Sequence, residues 1–185
     1  MPRAGNAGTY TLRDIHALEK VGVAVEPYDG RNDVFSVDYD QHGLMPVFFV
    51  VSNDGDQPVR LSDMSVRLVT PDHTKIEPSN DDDIFRRLSR TEHRGDESSR
   101  TKSPLPLPGG KPKVGVKQQT RDEVTSAQFK ATAVEPHSTR AGFFFFDISG
   151  LDHPRRGSRI YVTGVRTSDG QELMYFETPL ETSQP

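Results

Sequence analysis

Residues 43–53 read Gly-Leu-Met-Pro-Val-Phe-Phe-Val-Val-Ser-Asn, and residues 54–56 follow as Asp-Gly-Asp. This run has the length of a strand, and the Asn-Asp-Gly cluster at its end is typical of a tight turn. Side chains alternate between the two faces of a strand, so Phe48 and Phe49 point in opposite directions together with their apolar neighbours. A strand that is apolar on both faces is typical of one that is covered on both sides. We therefore predict that this run is the central strand of the fold.

A second short apolar run, residues 142–148 (Gly-Phe-Phe-Phe-Phe-Asp-Ile), is the best partner for the first. Four consecutive aromatic rings also suit a platform for sugars or bases, but a run between a turn and a loop is more typical of a core strand. We expect these two strands and two later ones to supply the centre of the core. The residues expected to be largely buried are Val47, Phe49, Val51, Phe143, Phe145, Val162 and Phe176.

The composition limits the kind of protein. A chain of 185 residues has room for one domain with tails, yet only 32% of its residues are hydrophobic and its mean hydropathy is −0.66, so part of it is expected to lie outside the core. The absence of cysteine excludes disulfides, thiolate metal sites and thiol nucleophiles. The net charge of −4 argues against a chain built to bind nucleic acid.

Two features bear on location. No run approaches the roughly 18–20 apolar residues of a membrane-spanning helix, so no transmembrane segment is expected. Residues 1–5 (Met-Pro-Arg-Ala-Gly) do not resemble the apolar part of a signal peptide. We therefore expect an exported protein, in the periplasm or at the cell surface, if a signal peptide was removed upstream, and a cytoplasmic protein otherwise.

The remaining segments predict short strands. Residues 1–18 show no period-2 alternation and are predicted to be a loosely packed N-terminal tail, with at most a turn or two of helix. Alternation of apolar and polar residues predicts strands at 21–25, 35–39, 59–61, 64–68, around 76, 160–165 and 173–176. The strands between residues 43 and 68 are expected to form a meander or the start of a Greek key, and Ser168-Asp169-Gly170 predicts a hairpin turn.

A change of period predicts one short helix near residues 79–88. Ser79 or Asn80 can cap it, aspartates begin it and arginines follow, which complements the helix dipole. Residues 122–129 fit a short helix or an edge strand, and we favour the helix. Seven or eight short strands, one short helix and no βαβ alternation indicate an all-β fold: an antiparallel immunoglobulin-like β-sandwich formed by residues 19–180 as a single domain.

Residues 89–121 interrupt this domain and differ from it in composition. They are rich in proline, serine and charge and poor in large apolar residues, so we expect a long, mobile, disordered insertion. Residues 86–121 contain ten Lys or Arg against three Asp or Glu, a net charge of +7, which leaves −11 for the rest of the chain. The insertion is either a soluble spacer or a patch for an anionic partner. The candidate patch residues are Arg94, Arg100, Lys102, Lys111, Lys113 and Lys117.

The strand and turn sequences resemble a known group. The resemblance is carried by residues 43–47 and 50–55 with Leu61, by residues 135–136 before 142–146, and by Gly164 with residues 172–176. In these positions the chain is similar to uncharacterised bacterial envelope or lipoprotein-associated proteins, and to immunoglobulin-like accessory domains of bacterial surface proteins. The resemblance covers about residues 20–70 and 130–180. It implies an exported β-sandwich with no assigned activity, and it brings no catalytic residues.

The sequence contains no nucleophile elbow, zinc-protease motif, dinucleotide fingerprint or Walker loop. Residues 80–83 and 53–56 gather carboxylates that Ca²⁺ would accept, but helix-cap and turn chemistry explains them better, so no metal, cofactor or catalytic site is assigned. We expect a non-enzymatic structural or interaction module of the bacterial cell envelope, whose partner is another envelope protein or an anionic envelope polymer. The alternative is a small-ligand or calcium-binding β-sandwich module. The sequence does not define an oligomeric state.

Overall fold

The computed structural model of the chain describes residues 2–28, 34–92 and 115–182. The strands among these residues are β1 (Arg13–His16), β2 (Val21–Pro27), β3 (Leu44–Asn53), β4 (Val59–Arg60), β5 (Ser65–Val69), β6 (Lys75–Ile76), β7 (Ala133–Val134), β8 (Ser138–Asp147), β9 (Arg159–Thr163), β10 (Arg166–Thr167) and β11 (Phe176–Pro179). The helices are α1 (Asp81–Glu92) and α2 (Gln118–Ala127).

The strands form three antiparallel sheets. The central sheet has the order β1-β2-β3-β8, the outer sheet β11-β9-β5-β6 and the small sheet β10-β4-β7. A mainly β, antiparallel fold is therefore confirmed. The described residues hold eleven strands rather than seven or eight, because several ladders are only two residues long, and they hold two helices rather than one.

β3 is the central strand, as the sequence predicts. It pairs with β2 on one side and with β8 on the other, where the register runs from Leu44 opposite Asp147 to Asn53 opposite Ser138. All ten residues of β3 are buried. The predicted partnership between the two most apolar runs is thus confirmed over the full length of both strands.

Each face of the central sheet packs against a different layer. On one face, Phe49 and its neighbours contact the outer and small sheets. On the other face, Phe48 and Phe143 pack against α1 and α2 through residues such as Ile84 and Val124. The central sheet is therefore the middle of three layers. The predicted core residues are all buried: Val47, Phe49, Val51, Phe143, Phe145, Val162 and Phe176.

The N-terminal segment is not a loose tail. Residues 13–16 form β1, which pairs with β2, and the Asp14 carboxylate accepts a hydrogen bond of 2.9 Å from the Glu177 backbone N–H of β11. Ala7 is buried, and its N–H donates to Ser52 Oγ at 2.7 Å. The prediction of loose packing is wrong, because this segment makes its contacts with residues that are distant in the sequence, and the pattern of a short window does not show such contacts.

The strand predicted at residues 35–39 is absent from the described part of that segment, residues 34–39. Instead, the Phe35 ring packs edge-on against Phe143 and Tyr39, at centroid distances of 4.8 and 5.0 Å. Tyr39 is fully buried. The alternating apolar residues of this segment do not form a strand; two of them, Phe35 and Tyr39, place their rings on the helical side of the central sheet.

The predicted meander is also wrong. β4 pairs with β7 and β10 rather than with β3, and β5 pairs with β6 and β9. The hairpin turn at residues 168–170 is confirmed by the bond from Gly170 N to Thr167 O, but the return strand begins only at Phe176 and pairs with β9. Four of the eight strand pairings in the described residues thus join strands that are distant in sequence: β3 with β8, β4 with β7 and β10, and β5 with β9.

Both helices are confirmed, and they shorten the expected insertion. The Asn80 side chain accepts a hydrogen bond of 2.9 Å from the Asp83 N–H and so caps α1. α1 extends through residues 89–92, and α2 begins at Gln118, with Val116 buried just before it. Residues 93–114, the centre of the predicted insertion, lie outside the described residues. No helix in the described ranges is long and apolar enough to cross a membrane.

Candidate functional site

The outer edge of β8 is where the central sheet meets both helices. The Phe145 carbonyl accepts a hydrogen bond of 2.7 Å from Ser79 N–H, just before α1, and the Phe143 carbonyl accepts one of 3.0 Å from Phe129 N–H, just after α2. The start of α1 and the end of α2 therefore attach to the same strand edge two residues apart. A cleft of about 460 Å³ lies between them.

Gly142 allows the chain after α2 to approach β8 closely. An ideal Cβ at this position would lie 2.5 Å from both the Cα and the N of Phe129, and 2.8 Å from the carbonyl carbon of Gln128. Real Cβ atoms do not come this close to backbone atoms. The wall of the cleft formed by residues 128 and 129 thus depends on a glycine in the strand.

The cleft has a polar side and an aromatic side. It is lined by Pro78, Ser79, Asn80, Asp81, Asp82, Gln128, Phe129, Phe143, Phe144 and Phe145. On the polar side, Gln128 Nε2 donates to Asp81 Oδ1 at 2.5 Å, which links the end of α2 to the start of α1. Asp82 is exposed, and its carboxylate has no hydrogen-bond or ion-pair partner within the described ranges.

The aromatic side is held by ring contacts. The Phe129 ring meets Phe49 edge-on at 5.2 Å and lies 5.6 Å from Phe144, which in turn meets Phe49 at 5.2 Å. Phe129 and Phe144 are only partly buried. Because each ring contacts the other two, this side of the cleft is fixed before any ligand arrives.

The charges around the cleft are negative. Three aspartates occupy the first turn of α1, and Asp83 is paired with Arg86. The carboxyl end of α2, which carries the negative end of a helix dipole, faces the same region. Lys130 binds this end of α2: its Nζ donates a hydrogen bond of 2.5 Å to the Thr125 carbonyl of the last turn. Among the described residues, no cationic side chain lines the cleft itself.

Glu123 on α2 has a structural role. Its carboxylate oxygens accept hydrogen bonds of 3.0 and 3.2 Å from the Ser36 N–H, and Tyr39 Oη lies 3.4 Å from Oε1. Burial, reinforced by the Glu123 charge, raises the pKa of Tyr39 far above its usual range. This pair therefore fixes residues 34–39 to α2 rather than offering a reactive hydroxyl.

The predicted anionic-partner patch falls largely outside the described ranges. Arg94, Arg100, Lys102, Lys111 and Lys113 lie among residues 93–114. Lys117 is described: it is the residue that precedes α2, and its side chain is exposed without an ion-pair partner among the described residues. The patch stays a prediction.

The two carboxylate clusters considered for calcium have other partners. The Asn53 side chain donates to the carbonyls of Gln57 and Val134, at 2.7 and 3.1 Å, and the Asp56 carboxylate accepts a hydrogen bond of 2.9 Å from His137 Nε2. In the cluster at residues 80–83, Asn80 caps the helix as described above. No group of three His, Cys, Asp or Glu side chains in the described ranges is arranged to hold a metal ion.

Comparison with known proteins gives no relative: no family model, no curated protein and no solved structure matches this chain. The cleft is therefore defined by its own geometry alone. Sequence reasoning missed it because its walls come from segments nearly 50 residues apart. The available signal was Gly142 at the start of an aromatic strand, since an isolated glycine in a strand often marks close backbone approach.

Proposed function

We propose that the protein is a non-enzymatic interaction module of the bacterial cell envelope that presents a basic segment from a rigid acidic body. The observation that carries this proposal is the anchoring of both helices on one face of the central sheet. α1 packs there through Ile84 and Leu88, and α2 through Val124 and Ala127. The basic segment between the helices thus leaves from and returns to a fixed platform.

The charge distribution supports an anionic partner. The basic segment between the helices, residues 93–117, contains six Lys or Arg against two Asp or Glu, a net charge of +4 that leaves −8 for the rest of the chain, so the two parts carry opposite charge. A cationic segment on a body of opposite sign binds a polyanion locally while the body keeps the complex soluble. We propose an anionic envelope polymer or another envelope protein as the partner, and export as the route to it.

The resemblance to envelope proteins also suggests a relation to immunoglobulin-like domains. The supporting feature is the packing of the central sheet on the outer sheet, both four-stranded and antiparallel, with an apolar core between them. In this proposal the helical layer is an addition made by the segment between β6 and β7.

The test compares the intact chain with a variant in which a Gly-Ser linker replaces residues 93–114, which leaves both helices whole. Binding to vesicles of phosphatidylglycerol with phosphatidylcholine, and to inorganic polyphosphate, is measured from low to high salt. The intact chain should bind at low salt and lose affinity as screening increases. A matched control keeps the length and replaces Arg94, Arg100, Lys102, Lys111 and Lys113 with glutamine.

The control should behave like the deletion. If the intact chain shows no affinity that the deletion lacks, the basic segment is a spacer and the proposal is overturned.

The second candidate is a small-ligand module, and the cleft at the edge of β8 favours it. A calcium site within this alternative would raise the melting temperature at millimolar Ca²⁺.

A further inference from the structure

We propose that the cleft between α1 and α2 receives an arginine side chain from an extended basic segment of a partner protein. The inference rests on the proposed function as an interaction module, and it names a second contact, distinct from the basic segment of the chain. The cleft lies in the described part of the chain, and its aspartates give it a negative charge, opposite to that of the basic segment. A partner that carries cations would therefore be held here.

The polar side of the cleft supplies the charge complement. Asp81 is oriented by its bond of 2.5 Å from Gln128, so one carboxylate oxygen is committed and the other is left for a ligand. Asp82 follows directly and has no partner of its own in the described ranges. Both carboxylates line the cleft, and a guanidinium, whose N–H groups form a planar fork, can bond to both at once, whereas an ammonium acts as a point charge.

The chain already shows the same attraction with its own side chains. The Lys130 ammonium binds the last turn of α2 beside the cleft. The Arg121 guanidinium carbon lies 4.6 Å from the centroid of the Phe85 ring, a cation–π contact between the two helices. The first contact is with a helix-terminal carbonyl and the second with an aromatic ring, the two kinds of neighbour that the cleft also offers to a cation.

The aromatic side suits the methylene groups of arginine. Phe129 and Phe144 are partly exposed at the cleft and fixed by Phe49. A long cationic side chain places its apolar stem on such rings while its head reaches the carboxylates. The volume of about 460 Å³ accommodates one side chain with the adjoining backbone.

The probe is a short acetylated and amidated peptide in which arginine alternates with serine, labelled for fluorescence anisotropy. A peptide with citrulline in place of arginine has the same shape without the charge, and a lysine peptide tests the fork geometry. Asp82→Asn removes a carboxylate of the cleft. Glu135→Gln makes the same charge change at the far end of β8, where the side chain is exposed.

We expect the arginine peptide to bind the intact chain at low salt, and the citrulline peptide to bind at least about fivefold more weakly. Asp82→Asn should weaken arginine binding about fivefold, whereas Glu135→Gln should leave it unchanged. The lysine peptide should fall between the other two. Circular dichroism of both variants confirms that the exposed substitutions leave the fold intact.

Equal losses in Asp82→Asn and Glu135→Gln would mean general attraction to an acidic surface, and the cleft would be rejected as the site. No binding of the arginine peptide at low salt would overturn the inference as well. Neither result touches the polyanion measurement, because that assay reads the basic segment. Failure there with success here would overturn the envelope-polymer proposal and keep the cleft.

Discussion

Replacing Gly142 by alanine would place a methyl group inside the backbone of the chain that follows α2. The new Cβ would meet the Cα and N of Phe129 at 2.5 Å. Both neighbours are main-chain atoms, so no side chain can rotate to relieve the contact. Residues 128 and 129 would have to move away from β8, and the hydrogen bond of 3.0 Å from Phe129 N to Phe143 O would lengthen or break.

The expected cost follows from these contacts. Inserting a methylene into a packed site costs about 1–3 kcal/mol, and a lost backbone hydrogen bond adds about 1 kcal/mol. Alanine in place of glycine lowers the entropy of the unfolded chain and returns about 0.4–1 kcal/mol. The net destabilisation of Gly142→Ala is therefore about 1–3.5 kcal/mol. The contacts of the Phe129 ring with Phe49 and Phe144 would weaken at the same time.

Urea unfolding followed by circular dichroism measures this difference. Gly115→Ala is the matched control, because an ideal Cβ at Gly115 meets no atom of the described residues within 4 Å, and its free energy of unfolding should stay within about 0.5 kcal/mol of the parent value. The arginine-peptide assay should also report weaker binding to Gly142→Ala, since a wall of the cleft has moved. An unchanged midpoint for Gly142→Ala would refute the close approach of residues 128–129 to β8.

Other perturbations test the core, the helix cap, the alkaline limit and the basic segment. Phe49→Ala should lower the unfolding free energy by about 3–5 kcal/mol, and an unchanged denaturation midpoint would remove β3 from the centre of the fold. Asn80→Ala should lower the free energy of unfolding, measured by calorimetry, by about 1 kcal/mol, and an unchanged value would show that the Asn80 side chain does not stabilise α1. The pKa of Tyr39 is raised in the folded chain, so this hydroxyl ionises at lower pH in the unfolded chain than in the folded one. The stability that Tyr39 contributes is therefore complete below a pH of about 10 and is lost as the pH rises further. Tyr39→Phe should therefore make the alkaline decline of stability less steep, and an identical decline would contradict this. Replacing residues 93–114 by a Gly-Ser linker should leave the melting temperature nearly unchanged, because loop closure entropy grows only slowly with length; a large drop would show that the segment packs on the body.

The sequence was sufficient to identify the central pair of strands. Ten residues with both faces apolar can be satisfied only in the middle of a structure, and β3 lies there. The cap at Asn80 and the turn at residues 168–170 were also predictable, because each depends on residues within a few positions of one another. Local chemistry of this kind needs no tertiary information.

The layer order was harder to predict. A two-layer sandwich leaves one face of each sheet open, which conflicts with a central strand that is apolar on both faces. The conflict indicated a third layer, and the helices supply it. Pairings such as β4 with β7 and β10 escaped prediction because two-residue strands give almost no periodic signal. The cleft depends on three contacts between segments distant in sequence: Ser79 with Phe145, Phe129 with Phe143, and Gln128 with Asp81. No short stretch of sequence therefore contained it.

The three sheets are each shared between the parts of the chain before and after residues 93–114. β3 pairs with β8 over ten residues, β5 with β9, and β4 with β7, and in every pair one strand comes from each part. A single cut in the basic segment would therefore yield two fragments: the first keeps β2 beside β3 but leaves the other edge of β3 unpaired, and the second holds β8 without its strand partner. Neither half contains a complete sheet, yet together they contain every strand and helix described here. The chain is in this respect divided as a split reporter is, and the complete set of sheets forms only when the two halves associate.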